Sequence, residues 1–223
     1  MTAPLRSVPA RRLSAALLAA GLLLGACSSA DADAAAPSSS GHDHSGGVTV
    51  EGPDDRFAGI DLPDPFQRPS FTLTDTSGAE YDFADRTAGR PTLLFFGYTS
   101  CPDICPTTML DVGLALGRLD PGVAEQVQMV FVTTDPATDT PDVLRGYLDR
   151  FDADLPVPFV GLTGDQGAID RAQLAAGVPL AEEQGRLHST LLLLYGADDE
   201  AQVAFDGGNT PADIAADVAA IVG

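Results

Sequence analysis

The C-terminal part of the sequence predicts an α/β domain in which helices flank a central mixed sheet. Two continuous apolar runs, at residues 92–96 and 127–132, are typical of strands that are buried on both faces. Segments with helical spacing follow both runs. Two closely spaced strands and a last helix then end the chain. Parallel strands need long crossovers whereas antiparallel strands need only a turn, so this order indicates a mixed sheet.

The first half of the domain starts with short strands. Residues 70–73 alternate like a strand, and after a glycine turn Tyr81 and Phe83 predict a second one. The buried run at residues 92–96 ends at Gly97. A helix is then expected from Pro106 to Leu119, because its apolar residues recur on one face.

The second half begins with the buried strand at residues 127–132. Thr140-Pro141 predicts a helix start, with threonine as the N-cap and proline in the first position, and that helix is expected to run to Phe151. A weaker helix is expected over residues 166–176, ended by Gly177.

The end of the domain predicts a strand pair and a terminal helix. A strand over residues 189–195 contains four consecutive leucines, and a partner over 202–205 follows a polar turn. Thr210-Pro211 starts the last helix, and Asp213 can complete a capping box there.

The net charge of the chain excludes some classes of function. The chain has 32 acidic and 12 basic residues, for a net charge of −20, and every basic residue is arginine. Binding to a phosphate backbone needs clustered positive charge, so a nucleic-acid partner is not expected. No apolar run reaches the roughly 20 residues that a membrane-spanning helix needs.

The N-terminus has the layout of an export signal. Arginines occupy positions 6, 11 and 12, and an apolar stretch follows over residues 13–25. The sequence Leu24-Gly25-Ala26-Cys27 resembles a bacterial lipobox, in which the cysteine becomes the lipidated first residue. We therefore predict a lipoprotein signal peptide over residues 1–26, with lipidated Cys27 anchoring the protein to the outer face of the cell membrane. An ordinary signal peptide with an incidental cysteine is the alternative.

A tether is predicted between the anchor and the domain. Residues 27–62 are rich in Ser, Ala, Asp, Gly and Pro and lack the apolar content needed for a core. The tether contains His42-Asp43-His44, either a weak metal site or a solvated polar tract. Residues 63–223 are then the single folded domain.

Two cysteines lie in the connection between a predicted buried strand and the helix that follows it. Cys101 and Cys105 each precede a proline, which disfavours helical backbone, so both are expected on a loop. Pro102-Asp103 suits a turn that brings the thiols together, and N–H groups at the helix start favour thiolate. A structural disulfide is the alternative, although closing so small a loop restricts the unfolded chain little. With this pair in this place, the predicted fold is thioredoxin-like.

His188 is the remaining candidate. It directly precedes the strand predicted over residues 189–195, and a thioredoxin-like layout brings the start of that strand beside the cysteine loop. Two thiolates and one imidazole form a soft ligand set that suits Cu(I), while imidazole also accommodates Cu(II). Zinc is the competing metal, although structural zinc takes four protein ligands.

The combined motifs resemble those of the Sco/SenC proteins. They are Gly97-Tyr98-Thr99-Ser100-Cys101-Pro102-Asp103-Ile104-Cys105-Pro106, then Val132-Thr133-Thr134-Asp135-Pro136 with Asp139-Thr140-Pro141, and His188-Ser189. The resemblance covers residues 71–223. It implies a thioredoxin-like fold, copper bound by Cys101, Cys105 and His188, and a role in assembling the binuclear copper centre of cytochrome c oxidase, whose copper-bearing subunit is the implied partner.

Two functions stay open at this point. The first is a copper-delivering assembly factor. The second is a thiol–disulfide oxidoreductase that uses Cys101 and Cys105 as its redox pair, without a required metal. Asp135 and Asp139 either tune the site or form a turn and a helix start. The domain is expected to be monomeric.

Overall fold

In the computed structural model, which describes residues 56–181 and 189–223, one mixed sheet is flanked by helices on both faces. Within these residues the strands are β1 (Ile60–Gln67), β2 (Thr72–Asp75), β3 (Glu80–Asp82), β4 (Thr92–Gly97), β5 (Gln128–Thr133), β6 (Val160–Thr163), β7 (Leu192–Tyr195) and β8 (Glu200–Phe205). The helices are α1 (Phe83–Thr87), α2 (Ile104–Leu116), α3 (Pro121–Ala124), α4 (Pro141–Asp152), α5 (Gln166–Ala175) and α6 (Pro211–Val222).

The strand order across the sheet is β1-β8-β7-β4-β5-β6-β2-β3. β4, β5 and β6 are parallel, and β7 and β8 are antiparallel to their neighbours. The crossovers within the parallel part contain α2 and α4. The prediction of a mixed sheet with an antiparallel pair before a terminal helix is therefore confirmed.

Alternating side chains of the central strands build two apolar cores. Leu93 and Phe95 of β4 face the core that contains α2, α4 and α6. Leu94 and Phe96 face the opposite core, with α1 and α5. β4 is thus buried on both faces, as its continuous apolar run predicts.

The predicted caps are confirmed. Thr140 accepts a hydrogen bond from the Val143 N–H group at the start of α4. Thr210 and Asp213 form the reciprocal capping box of α6. Gly177, which follows α5, has a φ of +70°, a backbone conformation that glycine adopts without steric cost.

Four elements were not predicted: β1, β6, α1 and α3. Phe83 was expected in the second short strand but begins α1, because the Asp82 side chain accepts from the Asp85 N–H group and caps a helix there. β6 contains one apolar pair and a glycine, too few residues for a periodic signal. Such short elements depend on their neighbours for burial.

The first described strand begins before the predicted domain boundary at Pro63. β1 begins at Ile60 and pairs with β8. The N–H groups of Ala58 and Gly59 donate to the buried Asp217 carboxylate at 2.9 and 2.8 Å. Two prolines and three polar residues interrupt β1, and for that reason its sequence lacks a strand pattern.

A buried arginine joins the segments at the N-terminal end of β4. The side chain of Arg68 is only 4% exposed and pairs with Asp199 at 2.6 Å. Its guanidinium also donates to the Thr87 hydroxyl and to the carbonyls of Arg90 and Gly196. The planar fork of arginine suits several acceptors at once.

All described residues belong to one compact unit. Among the helices of residues 56–181 and 189–223, none has the length and apolar character required to cross a membrane.

We predict that Arg68→Met lowers the free energy of unfolding by about 2 to 4 kcal/mol, because the buried acceptors around the guanidinium lose their donors. Urea denaturation measures this change. Arg86→Met is the matched control, since Arg86 is exposed and stacks on the Tyr81 ring. An equal loss in both variants would contradict the argument.

The same network has a pH dependence. The Gly89 N–H group and the Arg68 guanidinium hold the pKa of Asp199 below its ordinary value. A lowered folded-state pKa stabilises the fold at every pH above the unfolded pKa of about 4. This contribution is lost as the pH falls through the folded-state pKa. On acidification, the free energy of unfolding should therefore fall less in Arg68→Met than in wild type, and urea denaturation at several pH values measures both.

Candidate metal and redox site

The connection from β4 to α2 places the two cysteines at one end of the sheet. β4 ends at Gly97, and the Cys101 N–H group donates to the Tyr98 carbonyl at 3.3 Å. Cys101 is partly exposed, whereas Cys105 is buried in the core of α2, α4 and α6. The two thiols hydrogen-bond to each other and are not joined as a disulfide.

The prediction that both cysteines lie on a loop was wrong for Cys105. α2 begins at Ile104, so Cys105 lies in its first turn and Pro106 follows within that turn. The first N–H groups of a helix have no intrahelical acceptor, so a proline there forfeits no hydrogen bond. Burial of the Cys105 side chain then outweighs the local preference of a residue that precedes proline.

Gly97 makes room for the Cys105 sulfur. A Cβ atom on Gly97 would lie 2.8 Å from Cys105 Sγ and 2.9 Å from a ring carbon of Phe95. Real Cβ atoms do not approach other atoms so closely, so the sulfur occupies the space of a missing side chain. Sequence analysis used Gly97 only as the end of a strand. A glycine directly after a buried strand and before a cysteine pair is the signal that could have indicated this role.

The two sulfurs have different electrostatic surroundings. Partial burial, the largest single influence, raises the pKa of Cys101, but backbone N–H groups at the start of α2 and the Cys105 thiol outweigh it. The pKa of Cys101 therefore lies below its ordinary value, as the helix start predicted. Burial raises the pKa of Cys105 strongly, and the nearby Cys101 and Asp139 raise it further. Cys101, the more exposed cysteine, therefore loses its thiol proton more readily than Cys105 does.

A buried carboxylate fastens the cysteine loop to β5. Asp139 has no exposed surface, and its side chain accepts from the Thr99 N–H group at 2.9 Å and from the Thr99 hydroxyl. The Thr133 hydroxyl at the end of β5 donates to the same carboxylate at 2.6 Å. Asp135 forms the expected turn, since its carbonyl accepts from the N–H groups of Thr138 and Asp139.

Tyr147 also belongs to the surroundings of the cysteines. It is 4% exposed, packs in the same core as Cys105, and its hydroxyl has no hydrogen-bond partner among the residues that the structure describes. Burial and the neighbouring Cys105 raise the pKa of Tyr147. Sequence analysis missed this residue, because an interior helical tyrosine carries no motif.

Several predicted residues lie outside the described part of the chain. They are Cys27, His42 with His44, and His188. Within residues 56–181 and 189–223, no group of three His, Cys, Asp or Glu side chains could hold a metal ion. The two described candidates, Cys101 and Cys105, are brought together.

The chain that follows His188 lies at the cysteine end of the sheet. β7 runs antiparallel to β4, with Leu192 opposite Phe95, so β7 starts where β4 ends. Thr190, just before β7, lines a small depression together with Ile104 and Thr107 at the start of α2.

The sheet order, the crossover helices and the dithiol at a strand-to-helix junction define a thioredoxin-like protein. Comparison with known proteins then gives the family. The chain belongs to the SCO1/SenC family, whose sequence model matches residues 62–223. The resemblance inferred from the cysteine and aspartate motifs is thereby confirmed.

Curated relatives carry names that refer to copper or to Sco proteins. A candidate copper-binding protein from Stutzerimonas stutzeri is 38% identical over 143 residues, which cover 61% of this chain and 68% of the relative. Mitochondrial SCO1 from Saccharomyces cerevisiae is 37% identical over 46% of this chain and 33% of its own length. This chain therefore spans only about a third of the yeast protein.

Solved structures have the same fold. The copper-bound ScoI of Bradyrhizobium japonicum is 32% identical with a TM-score of 0.58, over 70% of this chain and 99% of that one. Apo Sco1 from Thermus thermophilus is 29% identical with a TM-score of 0.62, over 74% and 96% of the two chains. A third, BsSco, is described as having a disulfide switch and as a member of the Sco family of cytochrome c oxidase assembly proteins. It is 26% identical, with a TM-score of 0.53 over 73% of this chain and 98% of its own.

We predict that Gly97→Ala displaces the Cys105 sulfur and destabilises the domain by about 1 to 3 kcal/mol, because the added methyl group overpacks the core. Thermal unfolding and the rate of native-state thiol alkylation measure the two effects. Gly146→Ala is the control, since a Cβ there meets nothing within 4 Å. Unchanged stability and thiol reactivity in Gly97→Ala would refute the close approach.

Proposed function

We propose that this protein binds copper through Cys101, Cys105 and His188 and serves the assembly of the binuclear copper centre of cytochrome c oxidase. The observation that carries the proposal is the thiol pair at the start of α2, with one sulfur partly exposed and the other buried. Two relatives support the proposal. The ScoI structure contains bound copper, and BsSco is a member of the Sco family of cytochrome c oxidase assembly proteins.

The donor chemistry suits copper. Two hydrogen-bonded sulfurs at one helix end can ligate one soft ion, and an apolar shell around Cys105 limits water. Copper binding would require loss of the thiol protons, and N–H groups at the start of α2 favour that at Cys101. Bound copper would be the cargo that the protein carries to its target.

Chain connectivity supports His188 as the third ligand. His188 is four residues before Leu192, which packs in the same core as Cys105. Four residues reach about 14 Å at most, and β7 starts at the cysteine end of the sheet. A ligand supplied by the chain just before β7 would thus come from the cysteine end of the sheet, which supports the choice of His188.

The proposed partner is the copper-bearing subunit of the oxidase, met outside the cytoplasmic membrane. Lipidation at Cys27 would hold the domain there on its tether. The support for this placement is the lipobox-like sequence Leu24-Gly25-Ala26-Cys27.

A thiol–disulfide oxidoreductase is the second candidate function. The observation that favours it is the contrast between a partly exposed Cys101 with a lowered pKa and a buried Cys105 with a raised one. That contrast suits an attacking thiol and a buried second thiol in disulfide exchange. Such a reductase would prepare the target cysteines for copper rather than deliver the metal.

We predict that the reduced protein binds one copper ion and that the oxidised protein binds none at this site, because a disulfide consumes both thiolates. Titration of the two forms, monitored by thiolate-to-copper absorption, measures the stoichiometry. Cys101→Ser and Cys105→Ser should each nearly abolish binding. Equal stoichiometry in the two redox forms would rule out the site.

His188→Ala separates the two candidate functions. A copper carrier loses its third ligand, so copper affinity falls and oxidase assembly fails at limiting copper. A reductase retains most of its dithiol exchange, because that reaction needs only the two sulfurs. Normal assembly with His188→Ala, together with failure of Cys101→Ser, would establish the reductase and refute copper delivery.

We predict that Cys27→Ala releases the protein from the membrane while its domain still folds. Fractionation and mass spectrometry of the N-terminus test this prediction. Retention of residues 1–26, or a wild-type protein found wholly outside the membrane fraction, would refute lipidation.

A further inference from the structure

Asp139 is a buried carboxylate that pairs with no cationic side chain among the described residues. It has no exposed surface, and none of the ion pairs among the described residues includes it. Burying a carboxylate costs free energy unless hydrogen bonds replace its water. It is also not the cap of α4, because the Thr140 side chain makes that hydrogen bond. Three hydrogen bonds from described residues to its side chain offset that cost.

Those contacts converge on the loop that carries Cys101. One carboxylate oxygen accepts from both the Thr99 N–H group and the Thr133 hydroxyl, and the other accepts from the Thr99 hydroxyl. Thr99 lies two residues before Cys101, and Thr133 ends β5. The carboxylate thus ties the loop to the C-terminal end of β5, a central strand of the sheet.

Thr99 is one of the points at which the loop before Cys101 is fastened, next to the buried Tyr98. The Tyr98 carbonyl receives the Cys101 N–H group at 3.3 Å, and the Gly97 carbonyl receives the Thr134 N–H group at 2.7 Å. Ser100 is exposed. If Thr99 were released, Cys101 could move relative to Cys105, which is held in the helix and the core.

We propose that Asp139 is a positioning residue, whose hydrogen bonds to Thr99 hold the Cys101 sulfur within reach of Cys105 for a shared copper ion or a disulfide. The copper part of this inference rests on the proposed function. The disulfide part does not, because it concerns only the relative positions of two thiols.

An isosteric variant separates hydrogen-bond geometry from charge. In Asp139→Asn, the amide oxygen can keep the bonds from the Thr99 N–H group and the Thr133 hydroxyl. The amide nitrogen can donate to the Thr99 hydroxyl, which can accept as well as donate. Asp139→Asn therefore keeps the fastening and removes the charge, whereas Asp139→Ala removes both.

The first measurement is the equilibrium of the thiol pair with glutathione. Oxidised glutathione takes two electrons and both thiol protons from Cys101 and Cys105, so one protein disulfide forms and two reduced glutathione molecules are released. The equilibrium constant reports the effective concentration of one thiol at the other. We expect it to fall at least about tenfold in Asp139→Ala and to stay within about threefold of wild type in Asp139→Asn.

The second measurement is copper affinity by competition with a chromophoric Cu(I) chelator. Loss of a group that orients a metal ligand typically costs roughly 10- to 100-fold in affinity. We expect that loss in Asp139→Ala and not in Asp139→Asn. If wild type binds no copper, the proposed function fails, and the glutathione equilibrium still decides the role of Asp139.

Asp217→Ala is the control for general destabilisation. Asp217 is also a buried carboxylate that accepts two backbone N–H groups, but those belong to Ala58 and Gly59. We expect Asp217→Ala to lower the unfolding temperature without changing the glutathione equilibrium. An equal change in Asp217→Ala and Asp139→Ala would overturn the proposal.

Thr99 supplies a test if Asp139→Ala does not fold. Thr99 is partly exposed. Thr99→Val removes the hydrogen bond from its hydroxyl to Asp139, and Thr99→Ser keeps that bond. We expect the glutathione equilibrium constant to fall in Thr99→Val and to be retained in Thr99→Ser. An unchanged constant in folded Asp139→Ala or in Thr99→Val, or an equal fall in Asp139→Asn and Asp139→Ala, would refute positioning by these hydrogen bonds.

Discussion

The site depends on the close approach between β4 and the first turn of α2. At Gly97 the strand lacks a side chain, and the Cys105 sulfur occupies that space. β4 is buried on both faces and paired on both edges, so it cannot move to admit a larger residue. The position of the buried thiol therefore follows from the packing of the central sheet.

Buried hydrogen bonds fix β4 at one end and the cysteine loop at the other. The same strand is fixed at its other end, where the Arg68 guanidinium donates to the Arg90 carbonyl and to three further acceptors. At the cysteine end, Asp139 binds Thr99 and Thr133. Both groups are buried and hydrogen-bonded on several sides, which offsets the cost of removing them from water. One strand with two fixed ends thus supports a loop that exposes one sulfur and buries the other.

The elements that were predicted correctly carry a strong local signal. The continuous apolar runs gave β4 and β5, and the Thr-Pro pairs gave the starts of α4 and α6. The short elements were missed: β1 is interrupted by prolines, β6 has four residues, and Phe83 begins a helix capped by Asp82. Their conformations depend on pairing and burial supplied by distant segments, which local propensity does not contain.

The sequence by itself determined the thioredoxin-like class, the cysteine pair at a strand-to-helix junction and the family, because these are patterns of type and spacing along the chain. Tertiary structure alone decided that Cys105 is buried in the helix, that Gly97 makes room for its sulfur, and that Asp139 faces the cysteine loop. Those features join residues up to 40 positions apart. Contacts of this kind form when the sheet brings β4, β5 and α2 together, so the sequence carries at most a trace of them, such as the glycine before the cysteine pair.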